Sequence, residues 1–192
     1  MLDYILILVV NMCTIELSKT TVLYDNECKD DAFNILSTFS KSSLIFMGSE
    51  FHSAEQALQY TKAMFHNEFH CARMILFTDA PADVSIARMG LTTDQSWDSL
   101  KCDVMMSILK SKARASQSYV DCLMSTGNDV IVEADVDLFW ASGLPSTLMK
   151  DAPQHVWPGE NKRGKIQMEL RRHLQNEQGL WYDSHFFDAH VH

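Results

Sequence analysis

The stretch Phe51-His52-Ser53-Ala54-Glu55-Gln56-Ala57-Leu58-Gln59-Tyr60-Thr61-Lys62-Ala63-Met64-Phe65 decides the fold. Ser53 followed three residues later by Gln56 is a capping-box pattern. The hydroxyl accepts from an orphan N–H of the first turn and the glutamine reaches back to the cap, which predicts a helix from Ala54. Within that helix Glu55, Gln59 and Lys62 stand at i, i+4 and i+7 and share one face. Ala54, Ala57, Leu58 and Phe65 can face a core. A carboxylate, a carboxamide and an ammonium in one row form either the polar wall of a groove or an ordinary solvated face, and spacing alone leaves both open.

On the N-terminal side, Tyr24-Asp25-Asn26-Glu27 reads as a strand end and turn, and Ser43-Leu44-Ile45-Phe46-Met47, bounded by Gly48, as a short strand. On the C-terminal side, Glu68 to Phe77 reads as a second helix. His66 and His70 are four apart, but H-x-x-x-H without a third ligand is read as surface or partner-bonded histidines, not a metal site. Asp79-Ala80-Pro81-Ala82-Asp83 starts a helix that ends at Gly90. Asp94 or Ser96 opens a longer helix with an apolar stripe through Trp97, Leu100, Val104 and Ile108. Trp97 suits either the core or a wall on which a base stacks.

Ser118 to Met124 is helical and stopped by Gly127, and the β-branched run Asp129-Val130-Ile131-Val132-Glu133 predicts a buried strand. Pro145, Pro153 and Pro158 mark Leu144 to Trp157 as a loop. Gly159-Glu160-Asn161-Lys162-Arg163-Gly164 then feeds a helix over Lys165 to Gln175. An asparagine, a cation and helix N–H groups together suit a phosphate or a ribose.

Composition narrows the class. The 192 residues suffice for one well-buried domain with tails, and 46% hydrophobic content fits a globular chain. A net charge of −9 argues against broad electrostatic capture of a nucleic-acid backbone. The five cysteines are odd in number and lack a C-x-x-C pair, which favours reduced thiols and a cytoplasmic or nuclear setting. The apolar run Leu2 to Val10 is too short to span a bilayer and reads as a strand, a covering extension or the core of a signal peptide, and no later run approaches spanning length. The tail from Gly179 carries His185, His190 and His192 and reads as a poorly ordered end.

In order along the chain, several segments resemble the NADAR family, also called YbiA-like, whose name refers to NAD and ADP-ribose. Leu36-Ser37-Thr38-Phe39 is similar to the family's F-S-N-F, with threonine for asparagine, and Ser53-Ala54-Glu55-Gln56 is similar to S-x-E-H, with glutamine for histidine. Ala87-Arg88-Met89-Gly90 resembles the end of P…AARMG, and Trp97-Asp98-Ser99-Leu100-Lys101 resembles W-E-S-V-K. Asp137-Leu138-Phe139-Trp140 matches D-x-Y-W, while the following W-G-D-G has become Trp140-Ala141-Ser142-Gly143. Asn161 and Gly164 match G-K-N-R-L-G, with Lys162 for the arginine. The resemblance runs from about Tyr24 to Leu174.

The resemblance implies an N-glycosidase that hydrolyses the bond between ribose C1 and a nitrogen, on a riboflavin-pathway intermediate or on ADP-ribosylated guanine. The alternative is a module that binds NAD or ADP-ribose without turnover. It implies Glu55 and Asp137 as the catalytic carboxylates. Gln59, Lys62, Trp97, Lys101, Trp140, Asn161, Lys162 and Gly164 would bind substrate. The reaction implied needs no cofactor and no metal. The partner is a small nucleotide or ADP-ribose conjugate, extending to ADP-ribosylated nucleic acid, with no membrane. The expected fold is α-rich with a few short strands, a single YbiA-like helical domain over residues 21–178, preceded by an apolar extension (1–20) and followed by a tail (179–192).

Overall fold

The computed structural model describes residues 21–24, 33–78, 90–149 and 154–176. The readings of Leu2 to Val10, of the turn after Tyr24, of the helix entered through Pro81, of the segment Ala87-Arg88-Met89 and of the tail from Gly179 lie outside them.

Among the described residues there are four strands and six α-helices. In chain order they are β1 (Thr21–Tyr24), β2 (Leu44–Phe46), β3 (Ser49–Phe51), α1 (Ala54–Phe65), α2 (Phe69–Leu76), α3 (Gln95–Ala115), α4 (Gln117–Ser125), β4 (Val130–Glu133), α5 (Ser146–Met149) and α6 (Lys162–Asn176). The α-rich expectation holds. The strands form two small pairs, β1 parallel to β4 with Tyr24 opposite Glu133, and β2 antiparallel to β3. The β2–β3 turn passes through Met47 and Gly48, both at positive φ.

The helix starts follow side-chain chemistry. Ser53 Oγ accepts from Gln56 N at 3.1 Å and caps α1. Asp94 does the same for α3, accepting from Trp97 N, and Ser116 for α4, accepting from Tyr119 N. The second half of the capping box departs from expectation. Gln56 Oε1 accepts from His52 N at 2.7 Å, one residue before the cap, and Gln56 Nε2 donates to the carbonyls of Ile75 and Thr78 at 2.8 Å. The carboxamide therefore ties the end of α2 to the start of α1, and this buried double use draws it off the Ser53 amide.

The segment Leu144 to Trp157 holds the short helix α5 and a 3-10 turn at Gln154–Val156, more structure than a plain loop. Helix α6 begins at Lys162, one turn earlier than its spacing suggested. Phe65 is 40% exposed and does not join the core.

The main core packs α1, α3, α4 and α6 around Phe51, Leu58, Met105, Ile108 and Leu170. Burying such side chains contributes about 1.5–3 kcal/mol each before ordering costs. Helix α6 lies against β4, and Gly164 makes this possible: a Cβ there would sit 2.2 Å from the Ile131 carbonyl oxygen. Among the described residues no helix is long and apolar enough to cross a membrane.

Candidate functional site

Glu55, on the first turn of α1, has no exposed surface. Its backbone N–H donates to the Thr38 carbonyl at 2.9 Å, which ties α1 to the turn over residues 33–40. Its carboxylate accepts from three donors. Gln59 Nε2 lies 2.8 Å from Oε1; Thr38 Oγ1, at 3.1 Å, and Arg163 Nη2, at 2.7 Å, share Oε2. All three partners donate, the pattern that suits an anion.

Arg163 stands on the first turn of α6 and is buried. Its other terminal nitrogen, Nη1, donates to Glu133 Oε1 at 2.8 Å, so one guanidinium joins two buried carboxylates. Burial works against its charge, but Glu133 and then Glu55 outweigh that and hold Arg163 protonated well above its ordinary range. Beside it Tyr24 is pushed well above the phenol range, by burial first and by Glu133 second. The guanidinium carbon lies 5.3 Å from the centre of the Trp140 ring, in cation–π contact.

Trp140 belongs to a tight turn. Asp137 Oδ1 accepts from the backbone N–H groups of Phe139, at 2.8 Å, and Trp140, at 2.6 Å. The Phe139 and Trp140 carbonyls accept in turn from the amides of Lys162 and Arg163. Two ammonium groups converge on Phe139: Lys101 Nζ lies 3.6 Å from its ring centre and Lys162 Nζ 5.6 Å. Lys101 also pairs with Asp98 at 2.7 Å and Lys162 with Glu160 at 2.8 Å.

The structure thus gathers Glu55, Gln59, Asp137, Trp140, Lys101, Lys162, Asn161 and Gly164 around one corner of the fold, where α1, α3, the 137–140 turn and the start of α6 meet. Within it, two of the proposed binding residues have structural duties. Asn161, at φ +50° and 4% exposed, donates through Nδ2 to the Ile131 carbonyl and accepts from Glu133 N, which locks β4 to the start of α6. Gly164 provides the close approach already described.

Lys62 and Trp97 have other partners. Lys62 is two turns from Glu55 along α1 and donates to Thr93 Oγ1, ahead of α3. Trp97 is 4% exposed, lies in the core and meets Phe65 at 5.8 Å between ring centres. Of the two readings of this indole, the packing one describes its surroundings. His66 lies 3.8 Å from Asp94. Among the described residues no group of three or more His, Cys, Asp or Glu is placed to hold a metal, and Cys71 and Cys102 are free thiols. A cavity of about 460 Å³ opens beside the entry to α1, lined by Lys41, Ser42, Ser43 and His52.

Sequence reasoning missed Arg163 and Glu133 as members of this site. A signal was present. Arg163 shares a helical face with Ile166, Gln167, Leu170 and Leu174, all buried. A cation on such a face requires buried acids opposite it.

A family model for the NADAR domain matches residues 24–175. The chain belongs to the NADAR family. Among curated relatives, the N-glycosidase R617 of Acanthamoeba polyphaga mimivirus is 29% identical over 133 residues, spanning 66% of this chain and 76% of that protein. Among solved structures, the NMR structure of the E. coli protein YbiA superposes with a TM-score of 0.67 at 19% identity, covering 92% of each chain. This NADAR chain therefore has the YbiA-like fold. Its Arg163 occupies the position of the leucine in the G-K-N-R-L-G pattern, so the cation that reaches Glu55 comes from the residue after Lys162.

Proposed function

We propose that the protein is an N-glycosidase that hydrolyses the C1–N bond of a ribose-phosphate or ADP-ribose conjugate, with a riboflavin-pathway intermediate and ADP-ribosylated guanine as the two candidate substrates. The observation that carries the reading is the Glu55 carboxylate, buried among donors that include Arg163, whose guanidinium lies over the Trp140 ring. The likeness to a mimiviral N-glycosidase supports it.

Cleavage of an N-glycoside builds positive charge on C1 and the ring oxygen, as in O-glycoside hydrolysis. A fixed anion next to that carbon stabilises the transition state more than the ground state. Three donors point at the Glu55 carboxylate, which suits charge stabilisation and orientation of water more than donation of a proton. Water adds its hydroxyl to C1, the C1–N bond breaks, and the proton leaves with the nitrogen. Asp137, the second carboxylate, is assigned the transfer of that proton. Trp140 forms the aromatic wall for the base, and Lys101 and Lys162 face the phosphates. Because Glu55 has no exposed surface, the reading requires the groups that cover it to move as substrate enters.

A second reading is a module that binds NAD or ADP-ribose without turnover. The complete burial of Glu55 favours it. The deciding experiment incubates the protein with ADP-ribosylated guanosine, a riboflavin-pathway intermediate and NAD, follows free base by chromatography, and titrates ADP-ribose by calorimetry. Free base from one of these supports hydrolysis. Binding of ADP-ribose with no product from any of them overturns it in favour of the module.

A further inference from the structure

The turn that carries Thr38 is held from beneath by a buried lysine outside the motifs discussed so far. Lys112, on α3, has no exposed surface. Its Nζ donates to the Ile35 carbonyl at 2.7 Å, the Ser37 carbonyl at 2.8 Å and Ser40 Oγ at 2.7 Å, so all three ammonium protons are used on one turn. The Tyr119 ring lies 4.6 Å away on another side. No carboxylate pairs with it in the contacts described. A lysine inside a core without a counter-ion is costly, and a hydrocarbon side chain would fill the same space.

What the turn delivers is Thr38. Its carbonyl accepts the Glu55 N–H and its hydroxyl donates to Glu55 Oε2. From the opposite side Gln167 Nε2 donates to the Leu36 carbonyl at 3.2 Å. The turn is therefore held by side chains of α3 and α6, and its Thr38 side chain is directed at Glu55.

We infer that Lys112 is a positioning residue for Glu55, acting through the 35–40 turn and doing so only in its ammonium form. The inference rests on the reading of Glu55 as the acid of the site. Burial pushes Lys112 down to about 7, against the three oxygens that favour the cation. The titratable groups facing it are Tyr119 and Cys122 of α4; the turn itself offers oxygens and no charge. Burial keeps Tyr119 a neutral phenol across the same range, and following the Lys112 side chain itself separates its titration from that of Cys122. An amine has two N–H groups and a lone pair. On losing its proton, the amine keeps N–H donors for the two carbonyls and turns its lone pair to Ser40 Oγ, whose hydroxyl can donate to it only by leaving the Ile35 and Ser37 carbonyls, so a bond that closes the turn is lost.

The test is an NMR titration of the full chain through neutrality, following the Lys112 side chain and the backbone amides of Thr38 and Glu55. The expected result is one shared midpoint, near 7, with kcat falling on its alkaline side. A Lys112 that titrates while the Thr38 and Glu55 amides stay still overturns the inference. Lys112→Met should lower kcat about ten-fold or more with KM little changed, and should abolish the shared titration; an unchanged kcat, or an equal change in KM, also overturns it. The wild-type titration needs no substitution, so it decides the matter even if that variant fails to fold. It also needs no substrate. Absence of product from every probe removes the hydrolase reading, whereas absence of coupling removes this one.

Discussion

Glu55 and Glu133 hold the two terminal nitrogens of one guanidinium, at 2.7 and 2.8 Å from Arg163. The three groups come from α1, β4 and α6, and each has almost no exposed surface. Two buried carboxylates that close would repel without the cation between them. Arg163→Leu removes the cation that the two acids share, which should destabilise the fold by about 3–5 kcal/mol near neutral pH. In that variant the acids can protonate as the pH falls, so its deficit should shrink on acidification. Urea unfolding of wild type and variant at neutral and mildly acidic pH measures this; an equal deficit at both would show that the acids are not what the arginine holds.

Glu55→Gln keeps the shape and one acceptor oxygen but removes the anion. Arg163 retains Glu133, so the expected loss of stability is about 1–3 kcal/mol, the range for a weakened buried hydrogen bond to a charged group. The rate should fall by two orders of magnitude or more, because a charge matched to the transition state is lost. A thermal melt together with chromatography of released base checks both. Full activity in a folded variant removes Glu55 from the chemistry.

How far the chain could be read in advance follows from where the information sits. The starts of α1 and α3 were legible because their caps are local: Ser53 and Asp94 act within one turn. Strand β4 was legible from its β-branched run. The Glu55–Gln59 pair was legible because i and i+4 must meet on a helix. The partner of Lys62 was not, because Thr93 lies on a separate segment that spacing along α1 cannot see. The same holds for Arg163: its helical face could be read, but its two acids are brought in by α1 and β4 through tertiary packing. The capping role of Gln56 is legible to within one residue, with Oε1 accepting from His52 N; the carbonyls of Ile75 and Thr78, which take Nε2, arrive only once α2 folds back on α1.

Gly164 tests the tightness of the corner that positions Arg163. An added Cβ would meet the Ile131 carbonyl oxygen at 2.2 Å and the Asn161 side-chain atoms at 2.5 and 2.6 Å. Backbone cannot yield cheaply there, so Gly164→Ala should cost about 1–3 kcal/mol despite alanine's better helix propensity. Because α6 must move off β4, the variant should also lose activity in parallel with stability. Melting temperature and rate measured on one preparation check the pairing. A variant as stable as wild type would mean that α6 and β4 are further apart than described.

Lys101 and Lys162 separate binding from chemistry. Both ammonium groups approach the Phe139 ring, and each already has an acidic neighbour, Asp98 or Glu160. Lys101 is partly buried and its ammonium lies over the Phe139 ring, so Lys101→Ala should cost about 1 kcal/mol of stability or less. If the two cations face substrate phosphates, its KM should rise about ten-fold, or about 1.4 kcal/mol, with kcat retained. The effect should shrink in high salt, since the attraction is screened. Steady-state kinetics at low and high salt on the active probe decide it, and a fall in kcat at unchanged KM would move Lys101 from phosphate binding to the chemical step.

The stability of the whole fold should carry the mark of Lys112. Its folded value lies near 7, below the ordinary lysine value of 10.5, so between those two the unfolded chain binds more protons than the native one. Stability from this group therefore rises with pH through that window, by up to about 1.4 kcal/mol per pH unit, and is flat below it. The direction is opposite to that of the site, whose clamp weakens as the same proton leaves. Mildly alkaline buffer should thus give a protein that unfolds less readily and turns over more slowly. Denaturant midpoints for wild type and Lys112→Met on both sides of neutrality measure the stability half. A wild-type slope that persists unchanged in Lys112→Met would assign the proton to another group.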